Sequence, residues 1–302
     1  MGLTENQKRL IQSISQNDIR SARKCAVACI TEDTTAKNRT FCNRYKTLLE
    51  SSGMNMLELP SELKGIICVE DTSNSFNRNR YFLSNRESGI SENIIKMNKV
   101  TEKMSEVGIQ YINSTLLYGE SGTGKTTFGR YVSYITNLPF CYINFSNLIE
   151  SYMGNTSKNI SKAFSYAIQN PCVLMLDEID CISIRRSDSN NGEGTGGEMA
   201  RITISLMQEF DKLPSNVIVI GATNRIDRID EALLRRFTLK HEIKRLNIDE
   251  REQMVLKFFN DIEIEISKEQ LSSFIDHDDT QSGLMNRMVI FLVDYFMKGA
   301  EE

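Results

Sequence analysis

The chain has 302 residues, 40% of them hydrophobic and 25% charged, and a net charge of 36 − 40 = −4. That length suits two or three domains, and the composition is that of a globular protein rather than a fibrous or disordered one. The slight acidity gives no support to a nucleic-acid scaffold, no apolar run approaches the ~20 residues of a membrane span, and the polar start MGLTENQKRL lacks the apolar core of a signal peptide.

The N-terminal stretch reads as helical. Leu10, Ile11, Ile14 and Ile19 recur at helical spacing, followed by Ala22, Ala26 and Cys29, and then by Phe41, Tyr45, Leu48 and Leu49. Gly53 and Pro60 punctuate its end. Two or three helices are expected here, either docking or self-associating, or simply packing onto the rest. Residues 61–90 read as irregular, with Phe76, Tyr81 and Phe82 as anchors. A helix follows over 91–107, with Ser91 as its cap.

From residue 114 the pattern alternates. Strands are expected at 114–118, 139–145, 172–177, 216–222 and 239–244, and helices at 125–136, 157–169, 198–212, 229–235 and 249–260. Such alternation builds an α/β fold, a parallel sheet with helices on both faces. A low-complexity surface loop, SDSNNGEGTGG, interrupts it at 187–197. After about residue 247 the strands stop, and a stripe of Leu284, Met288, Phe291, Leu292 and Tyr295 marks a small helical region. The expected division is 1–85 for an N-terminal helical domain and linker, 86–246 for a large α/β domain, and 247–302 for a small C-terminal helical domain. Seven cysteines at non-repeating spacings, with His241 and His277 the two histidines, argue for reduced thiols rather than a zinc site or a disulfide framework. Reduced thiols imply a cytoplasmic location.

The first chemical signal is GESGTGKTT, residues 119–127, between the apolar run Leu116-Leu117-Tyr118 and the helix-forming FGRYVSYI. A strand, a Gly-rich turn, Lys-Thr and a helix make the setting of a phosphate loop. Gly119, Gly122 and Gly124 let backbone N–H groups turn inward round phosphates, and the helix start adds its partial positive charge. Lys125 can reach the β- and γ-phosphates and the Thr126 hydroxyl can hold Mg²⁺. The nucleotide-binding set is therefore Gly119, Glu120, Ser121, Gly122, Thr123, Gly124, Lys125, Thr126 and Thr127.

Three further signals follow. In CVLMLDEID, 172–180, an apolar strand ends in two acids: Asp177 suits Mg²⁺, Glu178 can polarise an attacking water, and Asp180 reads as structural. Beside a phosphate loop, such a pair implies hydrolysis and not binding alone. In VIVIGATNRID, 217–227, Asn224 follows another apolar strand and can position the water and sense the γ-phosphate. In DEALLRRF, 230–237, Arg235 and Arg236 stand together at a helix end.

Together GESGTGKT, LMLDEID, GATNRIDRIDEALLRRF and Ser282-Gly283 resemble an AAA+ ATPase of the classical AAA group over residues 90–300. The compact LLRRF is most similar to the katanin and spastin type and to small bacterial AAA proteins. The resemblance implies a P-loop NTPase fold that binds ATP and Mg²⁺, with Thr126 and Asp177 on the metal and Glu178 and Asn224 as the catalytic acid and sensor. It implies that Arg235 and Arg236 are arginine fingers acting on a neighbouring subunit, within a homo-oligomeric ring whose usual form is a hexamer. It also places Tyr152, Met153 and Gly154 at a pore loop that grips a protein substrate. Leu284 and Met285 depart from the family's usual Ala-Asp after Ser-Gly, which puts the base contacts in question, and Arg287 reads more as a surface residue than as a second sensor. The expected activity is Mg-dependent ATP hydrolysis coupled to remodelling or unfolding of protein. The alternatives are a nucleotide-switched docking module with little turnover and a DNA-associated loader.

Overall fold

The computed structural model describes residues 3–15, 19–33, 35–51, 59–109, 111–151, 155–182 and 195–299. Tyr152, Met153, Gly154 and positions 187–194 of the low-complexity loop lie outside the described residues.

Six strands form one sheet: β1 (Cys68–Glu70), β2 (Asn113–Tyr118), β3 (Phe140–Asn144), β4 (Val173–Asp177), β5 (Ile218–Thr223) and β6 (Leu239–Glu242). Their spatial order is β1-β3-β4-β5-β2-β6. β1 is antiparallel to β3 and every other pairing is parallel. The inner strands are buried along almost their whole length, as expected where helices cover both faces. Period-two alternation splits their side chains between two cores. Leu116, Leu174, Leu176 and Val219 face one cluster, and Leu117, Val173, Met175 and Ile220 face the other. β6 lies at an edge, where Leu239 and His241 are half-buried and Lys240 and Glu242 exposed.

The first core is closed by α7 (Phe145–Ser151), α8 (Thr156–Gln169) and α9 (Thr195–Phe210), through Phe145, Leu148, Phe164, Leu206 and Phe210. The second is closed by α5 (Asn85–Glu106) and α6 (Lys125–Thr136), through Ile90, Ile94, Phe128, Tyr131 and Val132. A third cluster holds Leu246, Met254, Phe258, Phe259, Phe274, Leu284 and Met288. It belongs to α11 (Ile248–Asp261), α12 (Lys268–Ile275) and α13 (Gln281–Gly299), the helical region expected after residue 247. A four-residue helix, α10 (Glu231–Leu234), precedes β6.

Three helices stand at the N-terminus: α1 (Glu5–Ser15), α2 (Ile19–Glu32) and α3 (Arg39–Ser51). Ala22 and Cys42 are buried, but Ile11, Ile14 and Phe41 on the expected apolar stripe are more than half exposed.

Two expectations need correction. The cap of α5 is Ser84, not Ser91. Ser84 Oγ accepts from Glu87 N–H, while the Glu87 carboxylate accepts from Ser84 N–H, so two helix-end donors are satisfied reciprocally. Ser91 lies inside the helix, where its hydroxyl donates to Ser88 O. The stretch 61–90 also holds more than loop: β1, and the short helix α4 (Thr72–Ser75), capped by Asp71.

Candidate functional site

The phosphate loop leaves β2, an inner strand of the parallel array that lies between β5 and the edge strand β6. Gly119 takes φ +144°, and a Cβ there would stand 2.2 Å from Ile243 O. No side chain fits that approach, because Ile243 N–H is bonded to Tyr118 O at 2.8 Å and holds the two strand ends together. Gly119→Ala is expected to cost on the order of 1–3 kcal/mol, through backbone displacement and a left-handed φ. A urea-denaturation midpoint equal to wild type would contradict this reading. Gly124, at φ 91°, caps α6, whose first residue is Lys125.

Lys125 is 7% exposed. Its Nζ donates to Gly119 O at 2.9 Å and Glu120 O at 2.7 Å, so the ammonium lies inside the loop. Burial lowers its proton affinity, while Asp177, Asp180 and Glu120 pull it back up. Thr123 Oγ1 donates to Glu120 O and tightens the same turn.

β4 delivers the acids. Asp177 Oδ2 accepts from Thr126 Oγ1 at 2.7 Å and from the Tyr142 hydroxyl at 3.3 Å, and Tyr142 is in turn held by Asn144 Nδ2. Neither Tyr142 nor Asn144 carries a motif of its own; their signal is position, two residues apart on one face of the neighbouring strand β3. Glu178 adopts a left-handed backbone, φ 55° and ψ 40°. A non-glycine residue there is uncommon, and such conformations gather at functional sites. Among the described residues no hydrogen bond or ion pair engages its carboxylate, and it lines the cavity described below. Asp180 has the structural part expected of it. It accepts from Thr223 Oγ1 at 2.7 Å, and Thr223 Oγ1 accepts from Arg225 N–H at 2.9 Å, which fixes Asn224 between them at the end of β5.

These groups open onto a cavity of about 540 Å³. Residues 121–127, Asp177, Glu178 and Asn224 line one end. Phe76, Tyr81, Phe82, Leu246, Met254 and Met285 give it an apolar end suited to a base. Glu87 also lines it, 5% exposed, and burial raises the carboxyl's proton affinity. The small helical region touches the loop directly, through Ser282 N–H to Gly122 O at 2.9 Å. The departure at 284–285 resolves into two environments: Leu284 is fully buried in the third core, and Met285 faces the cavity. Arg287 lies apart from the cavity lining, bonded to Ser273 O and paired with Asp279 at 2.6 Å.

The two arginines after α10 differ. The Arg235 side chain is 80% exposed, with one long contact to Glu231 at 3.4 Å. Arg236 is turned inward. Its guanidinium forks onto Asp211 at 2.8 and 2.7 Å and bonds Ala232 O at 2.9 Å.

Comparison with known proteins fits this geometry. Residues 115–245 match the model of the AAA family, the ATPase family associated with various cellular activities. An uncharacterised AAA family ATPase of Sinorhizobium fredii is 28% identical over 245 residues, 78% of this chain and 72% of that protein. A 26S proteasome regulatory subunit 8 homologue of Schizosaccharomyces pombe is 37% identical over 149 residues, 48% of this chain and 37% of its own length. Proteasome-activating nucleotidase 1 of Haloferax volcanii is 37% identical over 156 residues, 50% of this chain and 38% of its own. The chain thus spans well under half the length of the proteasome-type relatives. Since the matched region is also the one that folds round the phosphate loop and the acid pair, this chain carries an AAA-family ATPase domain and is an ATPase.

Proposed function

We propose that the chain assembles into a ring, with six subunits the family's usual number, in which ATP hydrolysis at subunit boundaries drives remodelling or unfolding of a protein threaded through the centre. The observation that carries this reading is the exposure of Arg235 on the same polypeptide as a buried, preformed phosphate site. An arginine that completes a neighbour's site makes turnover depend on assembly. The proteasome-type relatives support protein as the substrate. The compact LLRRF supports the finer kinship with the katanin and spastin type.

At each site Lys125 and the loop N–H groups hold the phosphates, Glu178 polarises the attacking water, and Asn224 orients it. A divalent cation fits the oxygen donors on hand: the Thr126 hydroxyl and Asp177 carboxylate already meet at 2.7 Å, and hard cations take such ligands. Mg²⁺, held by Thr126 and Asp177, would neutralise phosphate charge. Tyr152, Met153 and Gly154 supply the grip in this reading: an aromatic with a glycine close by in sequence can hold any extended chain through its apolar body.

The test compares ATP turnover alone, with a permanently unfolded polypeptide, and with DNA. Polypeptide is expected to raise turnover, and Tyr152→Ala to lose that response. Stimulation by DNA alone would instead support a loader, and a flat, very low rate would support a docking switch.

A further inference from the structure

The turn that carries Arg235 is clamped by its two following residues. Phe237 is 2% exposed and packs edge-on against Phe210, centroids 5.3 Å apart. Its ring fills the space that Gly221 of β5 leaves, since a Cβ at Gly221 would lie 2.6 Å from it. Arg236 forks onto Asp211, so two consecutive residues of the turn meet two consecutive residues at the C-terminal end of α9. The bonds to Asp211 and Ala232 O occupy several of the guanidinium's donors inside its own subunit, and 28% of the side chain stays exposed. Arg235 is left projecting from a turn fixed by the two residues that follow it.

We infer that Asp211 and Arg236 are a positioning pair, with Asp211 orienting the turn through Arg236 so that Arg235 alone crosses into the next subunit. The aromatic contact supplies packing, which is tolerant of small rotations. The paired N–H···O bonds are planar and directional, and set the angle at which the turn leaves α9. An angular error is amplified along the extended Arg235 side chain, and a misplacement of about 1 Å in a reacting group costs roughly 10²-fold in rate. This inference rests on the reading of Arg235 as a finger in trans.

The experiment mixes two kinds of dead subunit. Lys125→Ala keeps its finger and lacks a working pocket; Arg235→Ala keeps its pocket and lacks the finger. Co-assembly is expected to restore part of the turnover. Asp211→Asn added to the Lys125→Ala subunit, which donates the finger, is expected to lower that restored turnover by roughly 10²-fold with little change in KM for ATP. The same change in the Arg235→Ala subunit should give the same restored turnover as before, and Asp211→Glu in the donating subunit should recover part of the loss. Melting temperatures of both Asp211 variants should stay near wild type, because an exposed ion pair contributes little to stability. Full restored turnover with Asp211→Asn in the donor overturns the inference and leaves the finger in trans standing. An equal loss in either subunit overturns it in favour of a general structural part. If the two parent variants co-assemble and restore nothing, the finger in trans fails, and this inference with it.

Discussion

Glu178→Gln is expected to bind ATP as wild type does and to hydrolyse it about 10²–10⁴-fold more slowly. The substitution keeps the size of the side chain and its capacity to hydrogen-bond, but removes the charge that draws a proton from water. Its neighbourhood should stay in place. Asp177 is held by Thr126, Tyr142 and the backbone N–H of residue 178 itself, none of which needs the Glu178 carboxylate. The backbone of residue 178 is left-handed, and Gln meets the same steric limits there as Glu. Binding by calorimetry and turnover by phosphate release should therefore separate cleanly. Wild-type turnover would remove Glu178 from the mechanism, and lost binding would mean that the acid holds the pocket's shape.

Arg235→Ala should lower turnover by about 10³–10⁵-fold, the range an arginine finger contributes in other nucleotide hydrolases. ATP affinity should persist, because the side chain does not line its own subunit's cavity. Stability should persist as well: the side chain is 80% exposed and its contact to Glu231, at 3.4 Å, is a surface pair. Wild-type activity should rise faster than linearly with protein concentration near the assembly threshold, since in the proposed ring each new boundary completes a site. Strictly linear activity down to high dilution, together with a normal rate for Arg235→Ala, would leave each subunit self-sufficient.

The proposed nucleotide site was readable because its motifs are contiguous. Nine consecutive residues carry the phosphate loop, and the acids and Asn224 each close an unbroken apolar run, which is the signature of a strand covered on both faces. The helix over 125–136 matches the observed Lys125–Thr136, since Gly124 marks its start. Shorter-range signals were weaker. The expected cap of α5 is Ser91, and the capping box Ser84-Asn85-Arg86-Glu87 goes unread inside a stretch that reads as irregular; the structure places the cap at Ser84.

What the sequence by itself determined is thus most of the strands and helices of the α/β region and the contiguous motifs they carry. The tertiary structure decided which partners meet across distance. β1 has three residues and no period of its own; it is a strand because β3 offers an open edge. Tyr142 reaches Asp177 across 35 positions, and Asp211 reaches Arg236 across 25. Leu284 and Met285 are both apolar neighbours, and a step of about 100° round α13 sends one into the core and the other to the cavity. Arg235 and Arg236 are the same residue type side by side, and their difference in exposure, 80% against 28%, comes from a carboxylate that the chain brings in from the end of α9. Local propensity depends on a few covalent neighbours, whereas a contact depends on how the sheet orders its strands, and that order is set by the whole core at once.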